Sequence, residues 1–218
     1  MSDLPRDAFR RYDETPDELF YRQPRFVTHI DDAAIAAVTQ LYREFLPADG
    51  ALLDLMSSWV SHLPPEVSYR RVVGLGLNHA ELAKNPRLAS FLVQNLNTTP
   101  QLPFADGEFD GAALAVSVDY LTAPVAVLRD LRRVLIPGGP VVITFSNRCF
   151  PTKAVAIWHQ LGDKGRLELV GHYLQEAGWE QIQLLDRSPK AYSSDPLYAA
   201  VAYAPKRSRE GAQVAEAE

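Results

Sequence analysis

The sequence predicts an α/β protein with a mostly parallel sheet of seven strands and helices on both faces, and three observations carry that expectation. Short apolar runs alternate along the chain with stretches of helical periodicity. The central runs are almost continuously apolar, as strands covered on both faces must be. Turn-forming clusters such as Pro47-Ala48-Asp49-Gly50 and Ile136-Pro137-Gly138-Gly139 separate the two kinds of segment.

Taken in order, residues 1–30 are polar, aromatic and punctuated by proline (Tyr12, Pro16, Phe20, Tyr21, Pro24, Phe26). They are expected to form an irregular arm that packs on the core through its rings, followed by one domain over 31–204. Asp31 and Asp32 offer N-caps to a helix with Ile35, Val38, Tyr42 and Phe45 on one face, closed by the turn at Pro47. Ala51–Leu55, Arg71–Leu75, Leu88–Val93 and Phe109–Val116 read as four strands, with a short helix over His79–Lys84. Pro124 opens a helix with Leu128, Leu131 and Leu135 as its apolar stripe. Val141–Phe145 is the fifth strand. A helix from near Asp163 stops at Gly178, its C′ residue, and Ile182–Leu185 and Leu197–Tyr203 are the last two strands. Residues 205–218 are small and charged and are expected to be disordered.

Composition narrows the partners. With 22 basic and 27 acidic residues the formal net charge is −5, so there is no broad attraction to a phosphate backbone and no nucleic-acid partner is expected. No apolar run approaches the roughly 20 residues that span a bilayer, and Met1–Arg11 lacks the apolar core of a secretory signal. No membrane partner is therefore expected. The single cysteine, Cys149, rules out an intrachain disulfide and a zinc site of paired thiolates. His62, His79, His159 and His172 have no metal-ligand spacing, so no metal is expected. The expectation is a soluble cytoplasmic chain whose oligomeric state the sequence does not specify.

In a sheet of this kind ligands bind outside the carboxyl ends of the strands, so function is sought just after each strand. Four segments there are informative: Leu52-Leu53-Asp54-Leu55, Val72-Val73-Gly74-Leu75-Gly76-Leu77-Asn78, Leu102-Pro103-Phe104 with Asp106-Gly107-Glu108-Phe109-Asp110, and Leu131-Arg132-Arg133-Val134-Leu135-Ile136-Pro137-Gly138-Gly139. In order and spacing they resemble the motifs of class I S-adenosylmethionine-dependent methyltransferases, over residues 50–204. The resemblance implies a Rossmann-like methyltransferase fold, S-adenosylmethionine as cofactor and methyl transfer to a small molecule. It also implies that Asp54 and the turn Leu55-Met56-Ser57 flank the methionine end of the cofactor. Gly76, Leu77 and Asn78 would lie at the ribose and adenine, Asn95, Leu96 and Asn97 at the adenine edge, and Ser117 and Val118 at the sulfonium. Between Asp54 and Gly76 there is room for a turn, a short helix and a returning strand.

Two departures stand out. The family's first turn is glycine-rich, because glycine accepts positive φ and lets the backbone approach its ligand; here Met56, Ser58 and Val60 take those places. The family's second strand ends in an acid that binds the ribose diol; here Gly76 stands there, and the nearest carboxylate is Glu81. The hydroxyls of Ser57 and Ser58 and the amide of Asn78 are the candidates to replace what is missing. The opposing reading is a non-catalytic binding module with a decayed cofactor site.

Methyl transfer needs alignment more than a signature base. Asp119 and Tyr120, after the fourth strand, are the candidates to orient the acceptor or take its proton. Asn147 and Arg148, after the fifth, are the candidates to bind it, Arg148 through an acceptor carboxylate or phosphate. Ser117-Val118-Asp119-Tyr120 stands where many amino-group methyltransferases carry an Asp/Asn-Pro-Pro-Tyr tetrad, which points away from nucleic-acid bases. The lack of Gly-x-Gly-x-x-Gly after the first strand, and of Gly-x-Ser-x-Gly anywhere, argues against a nicotinamide oxidoreductase and a serine hydrolase.

Overall fold

The computed structural model of the protein describes residues 5, 7–190 and 193–206. Most of the tail expected to be disordered, from residue 207 on, lies outside them. Seven strands form one sheet: β1 (Ala51–Leu55), β2 (Arg71–Gly76), β3 (Ser90–Val93), β4 (Gly111–Ala115), β5 (Pro140–Phe145), β6 (Glu180–Asp186) and β7 (Tyr198–Tyr203), in the spatial order β3-β2-β1-β4-β5-β7-β6. Neighbours run parallel except β7, which is antiparallel to both β5 and β6. The reversal between β2 and β3 on one side of β1 and β4 and β5 on the other makes the carboxyl end of β1 a topological switch point.

Period-two alternation divides each central strand between two cores. Leu53 and Leu55 of β1 and Val141 and Ile143 of β5 face α4 (Pro124–Val134), α5 (Ala156–Gln160) and α6 (Asp163–Glu176). Leu52 and Val142 face α2 (Asp32–Phe45), which buries Ala34, Val38, Leu41 and Tyr42 against them. Helix α2 starts where its cap predicts, with the Asp31 carboxylate accepting from Ala34 N at 2.8 Å. Helix α4 begins with Pro124 in its first turn, and α6 gives way at Gly178, whose φ of +80° suits its place just past the helix.

Several expectations need correction. No helix lies between β1 and β2: residues 56–70 are irregular. Pro64-Pro65 disfavours helical backbone at its centre, and side chains from elsewhere hold the loop instead. Thr39 Oγ1 donates to the His62 carbonyl at 2.9 Å, Asn85 Nδ2 to that of Ser58 at 2.9 Å, and Arg87 Nη2 to that of Val67 at 3.0 Å. Strand β3 begins at Ser90 rather than Leu88, and Leu88 packs instead beside Gly74. Strand β4 is shorter at both ends: Phe109 makes only an isolated bridge to Leu135, and Val116 turns out of extended backbone with φ +42°.

The arm is not wholly irregular. It contains α1 (Asp17–Phe20), fixed by charge as much as by rings. Lys153, fully buried, donates to the Thr15 carbonyl at 2.6 Å and lies 3.3 Å and 3.4 Å from the carboxylates of Asp13 and Asp17. Arg11 pairs with Asp17 at 2.7 Å. Phe20 and Tyr21 meet the Phe150 ring edge-on at 5.4 Å and 6.2 Å. These contacts seat the arm across the carboxyl edge of the sheet.

Candidate functional site

Between that edge and the arm lies a cavity of about 290 Å3. It runs from the end of β3 past β2, β1 and β4 to the residues after β5. Each strand contributes through the turn that follows it, and two of those turns are strained. Met56 after β1 has φ +55° and Val116 after β4 has φ +42°. A β-branched residue rarely adopts such a conformation, and each non-glycine residue held there costs on the order of 1–3 kcal/mol.

The turn after β1 explains both sequence departures together. Ser57 N donates to the Leu75 carbonyl at 2.8 Å, which draws the turn onto the end of β2. A Cβ on Gly76 would lie 2.2 Å from the Ser57 carbonyl oxygen. An acid at position 76 is therefore sterically excluded by the same glycine-free turn that replaces the family's glycine-rich one. Here the close approach of turn and strand requires glycine at the end of β2.

Asp54 is 4% exposed and faces the cavity. Its Oδ2 accepts from Ser57 Oγ at 2.6 Å and Ser61 Oγ at 2.5 Å, and burial, only partly offset by those bonds, pushes its pKa up to about 6. Asn78 is the N-cap of α3 (His79–Leu82): its Oδ1 accepts from Ala80 N and Glu81 N, and its Nδ2 donates to the Tyr21 carbonyl at 2.8 Å. Asn95 Nδ2 donates to Glu18 at 2.7 Å and Asn97 Nδ2 to Asp17 at 2.9 Å. The amides expected at the ribose and adenine thus hold the arm.

Of the expected cofactor contacts, the cavity brings together Asp54, Met56, Ser57, Ser58, Gly76, Leu77, Asn78, Asn95, Leu96, Asn97 and Ser117. Leu55 and Val118 point into the core instead. Ser117 is 9% exposed, and its Oγ is buried without a hydrogen-bond partner. Tyr120 lines the cavity and its hydroxyl accepts from Phe150 N at 2.8 Å. Asp119 is buried outside the lining, with Oδ2 unpartnered and its pKa raised by burial to about 7. Arg148 reaches the cavity but is largely exposed and pairs with Asp195 at 2.7 Å, and Asn147 faces solvent away from it.

Sequence reasoning gave no binding role to Arg25, His29, His62 and Glu81, all of which line the cavity. Glu81 Oε1 accepts from Arg25 N at 2.7 Å, and burial raises its pKa. Its signal was present, as the nearest carboxylate to Gly76. Burial lowers the pKa of His29 and of His62, with the Arg25 charge adding for His29 and His29 itself adding for His62. Among the described residues there is no group of three or more metal-binding side chains, and no helix is long and apolar enough to cross a membrane.

Comparison with known proteins agrees with this architecture. The family described as a methyltransferase domain matches residues 57–143, beginning just past β1. A malonyl-acyl-carrier-protein O-methyltransferase of Erwinia pyrifoliae is 36% identical over 61 residues, covering 28% of this chain; the chain spans only 23% of that relative's length. A solved S-adenosylmethionine-dependent methyltransferase from Aquifex aeolicus superposes with a TM-score of 0.58 at 15% identity, covering 79% of this chain and 91% of that one. A solved cyclase, SpnF, superposes with a TM-score of 0.58 at 17% identity, covering 78% of this chain and 80% of that one. These last two likenesses show the fold. With the strand order they show a Rossmann-like methyltransferase fold, in which the matched methyltransferase-domain stretch runs from just past β1 into β5.

Proposed function

We propose that the protein binds S-adenosylmethionine at the ends of β1, β2 and β4 and transfers its methyl group to a small molecule enclosed beneath the arm. The observation that carries this reading is a cavity at the switch point that holds two buried carboxylates, Asp54 and Glu81, and an unpartnered hydroxyl, Ser117. Its volume, about 290 Å3, lies just below the roughly 300–1,000 Å3 of ligand pockets. With a net charge of −5 a nucleic-acid acceptor is disfavoured, and a cytoplasmic setting goes with the proposal.

The residues fit the cofactor with an altered donor set. Glu81 takes the ribose hydroxyls in place of the acid that Gly76 cannot be. Asp54 and the Ser57-Ser58 turn hold the methionine end, and Leu77 and Leu96 flank the adenine. When bound, S-adenosylmethionine supplies an electrophilic methyl group on sulfur. The chain's own work is alignment and exclusion of water: Asn95 and Asn97 hold α1 over the cavity, and Tyr120 fixes the backbone at Phe150.

A second reading, a non-catalytic module on the same scaffold, is favoured by one observation: the Ser57 carbonyl fills the space above Gly76. Isothermal titration with S-adenosylmethionine and S-adenosylhomocysteine separates the two. We expect micromolar binding of both, weakened at least tenfold by Asp54→Asn, a substitution that leaves the two serine hydroxyls an acceptor. No heat from folded protein at about 1 mM ligand overturns the methyltransferase reading in favour of the module.

A further inference from the structure

Charge around the cavity is unevenly matched. Its acids are engaged: Asp17 by Arg11 and Lys153, Asp54 by two serine hydroxyls, and Glu81 by the Arg25 backbone N–H. Arg148 already has Asp195. The Arg25 guanidinium is different. Its Nη2 donates to the Phe20 carbonyl at 3.0 Å, while Nη1 is buried with no acceptor. Among the described residues it makes no ion pair.

Three rings hold that guanidinium. Its Cζ lies 4.7 Å from the centroid of Phe20, 5.2 Å from Phe150 and 5.6 Å from Tyr21. Aromatic faces stabilise the cation and fix its plane, but they offer no acceptor to an N–H. A buried charged donor left unsatisfied is costly, and native proteins rarely keep one without a use. The group that satisfies it must bring negative oxygen, and a carboxylate can accept from a guanidinium edge through two parallel bonds. Ser117 Oγ, also unpartnered, faces the same cavity.

We propose that Arg25 is the clamp for a carboxylate on the methyl acceptor, so that the substrate is a small carboxylic acid with an apolar body. This rests on the methyl-transfer reading and narrows its substrate class. The apolar body would lie along Met56, Val116 and Leu121, which line the cavity beside the polar groups. Arg148 then serves the mouth rather than the anion, its charge being matched by Asp195.

Benzoate and its neutral isostere benzamide are the probes. Both are titrated into the full chain saturated with S-adenosylhomocysteine, followed by calorimetry or by protein NMR shifts. The wild type is expected to bind benzoate at least tenfold tighter than benzamide. Arg25→Met is expected to bring that ratio to about one, and Arg25→Lys to keep part of it. The affinity for S-adenosylhomocysteine, measured beforehand on each protein, stays within threefold. Equal or absent binding of the two probes by the wild type overturns the proposal. So does a tenfold loss of S-adenosylhomocysteine affinity in Arg25→Met with benzoate preference intact, because Arg25 would then serve the cofactor's own carboxylate. If the wild type binds no S-adenosylhomocysteine, the methyl-transfer reading fails separately, and the probe ratio measured without it still decides the role of Arg25.

Discussion

The ends of β1, β2 and β3 and the end of β4 border one cavity, yet their polar groups are disposed in opposite ways. On the first side Asp54 accepts from two serines, Asn78 caps α3 and donates to the arm, and Asn95 and Asn97 donate to Glu18 and Asp17. On the second side Ser117 Oγ is buried at the cavity without a partner, as is Asp119 Oδ2 behind the lining, and Arg25 Nη1, reaching in from the arm, shares the condition of Ser117. A satisfied group stabilises the fold whether or not a ligand is bound, whereas an orphaned one lowers stability until a ligand arrives. The first side is thus built to hold itself and the arm together, and the second is where a ligand's polar atoms would yield the largest gain.

The sharpest way to break this comparison is to disturb the self-packed side. Gly76→Ala sets a Cβ against a backbone carbonyl, whereas Gly74→Ala meets only the ends of the Leu88 and Leu82 side chains. Gly76→Ala is expected to cost roughly 3–5 kcal/mol and to lower the melting temperature by about 10 °C, with Gly74→Ala well under half of that. Thermal denaturation of both variants checks it. A mild Gly76→Ala would mean that the β1 turn is free to move, and that the first side is not self-held.

Next in size is the strap. Lys153→Met removes the buried ammonium that gathers the Thr15 carbonyl and two carboxylates, leaving Asp13 and Asp17 without it. Losing one partner of a buried pair costs about 3–5 kcal/mol, but here the loss is confined to the arm. Hydrogen exchange is expected to accelerate at Asp13 N, which donates to the Thr152 carbonyl, while amides in β1 and β4 keep their protection. Uniform acceleration across the sheet would show that arm and sheet unfold as one unit.

The structure also separates what local sequence dictates from what it does not. The connection from β4 to β5 was legible because its signals are local: Pro124 at a helix start, an apolar stripe through Leu128 and Leu131, then Pro137-Gly138-Gly139. The connection from β1 to β2 was not, since Thr39, Asn85 and Arg87 shape residues 56–70 from other elements. For the same reason Asp54 and Ser117 were found as strand-end residues, while Arg25 and His29 were missed. Their place over the cavity depends on distant parts of the chain: Glu81 accepts from Arg25 N, and the Phe150 ring meets both the Arg25 guanidinium and His29. Glu81, which lines the cavity, was within reach as the nearest carboxylate to Gly76, on the helix that follows β2.

On the unsatisfied side, Asp119 gives a prediction in pH. Burial raises its folded pKa to about 7, above the ordinary 3.8. The native state therefore favours the protonated acid. The stability this lends is complete below about pH 4, falls as pH rises towards 7, and is absent above it. Asp119→Asn removes that slope. The variant is expected to gain on the order of a few kcal/mol relative to the wild type between pH 5 and pH 8, read from urea unfolding at the two values. A wild-type slope surviving in the variant would assign the pH dependence elsewhere, with Asp54 as the next candidate.

The smallest effect separates fold from ligand most cleanly. Ser117→Ala deletes an orphaned hydroxyl, so the free protein is expected to hold its stability or gain about 1 kcal/mol. If that hydroxyl faces a bound ligand's polar atom, affinity for S-adenosylhomocysteine or for the carboxylate probe falls by roughly 3- to 10-fold. Opposite signs for stability and affinity at one residue are what an unsatisfied site requires. The mirror-image test is Asn97→Ala, whose amide ties Asp17 and the Tyr120 carbonyl together and should lower stability first. Were both variants to lose stability alike without a change in binding, Ser117 would be a packing residue, and the two sides of the cavity would not differ in kind.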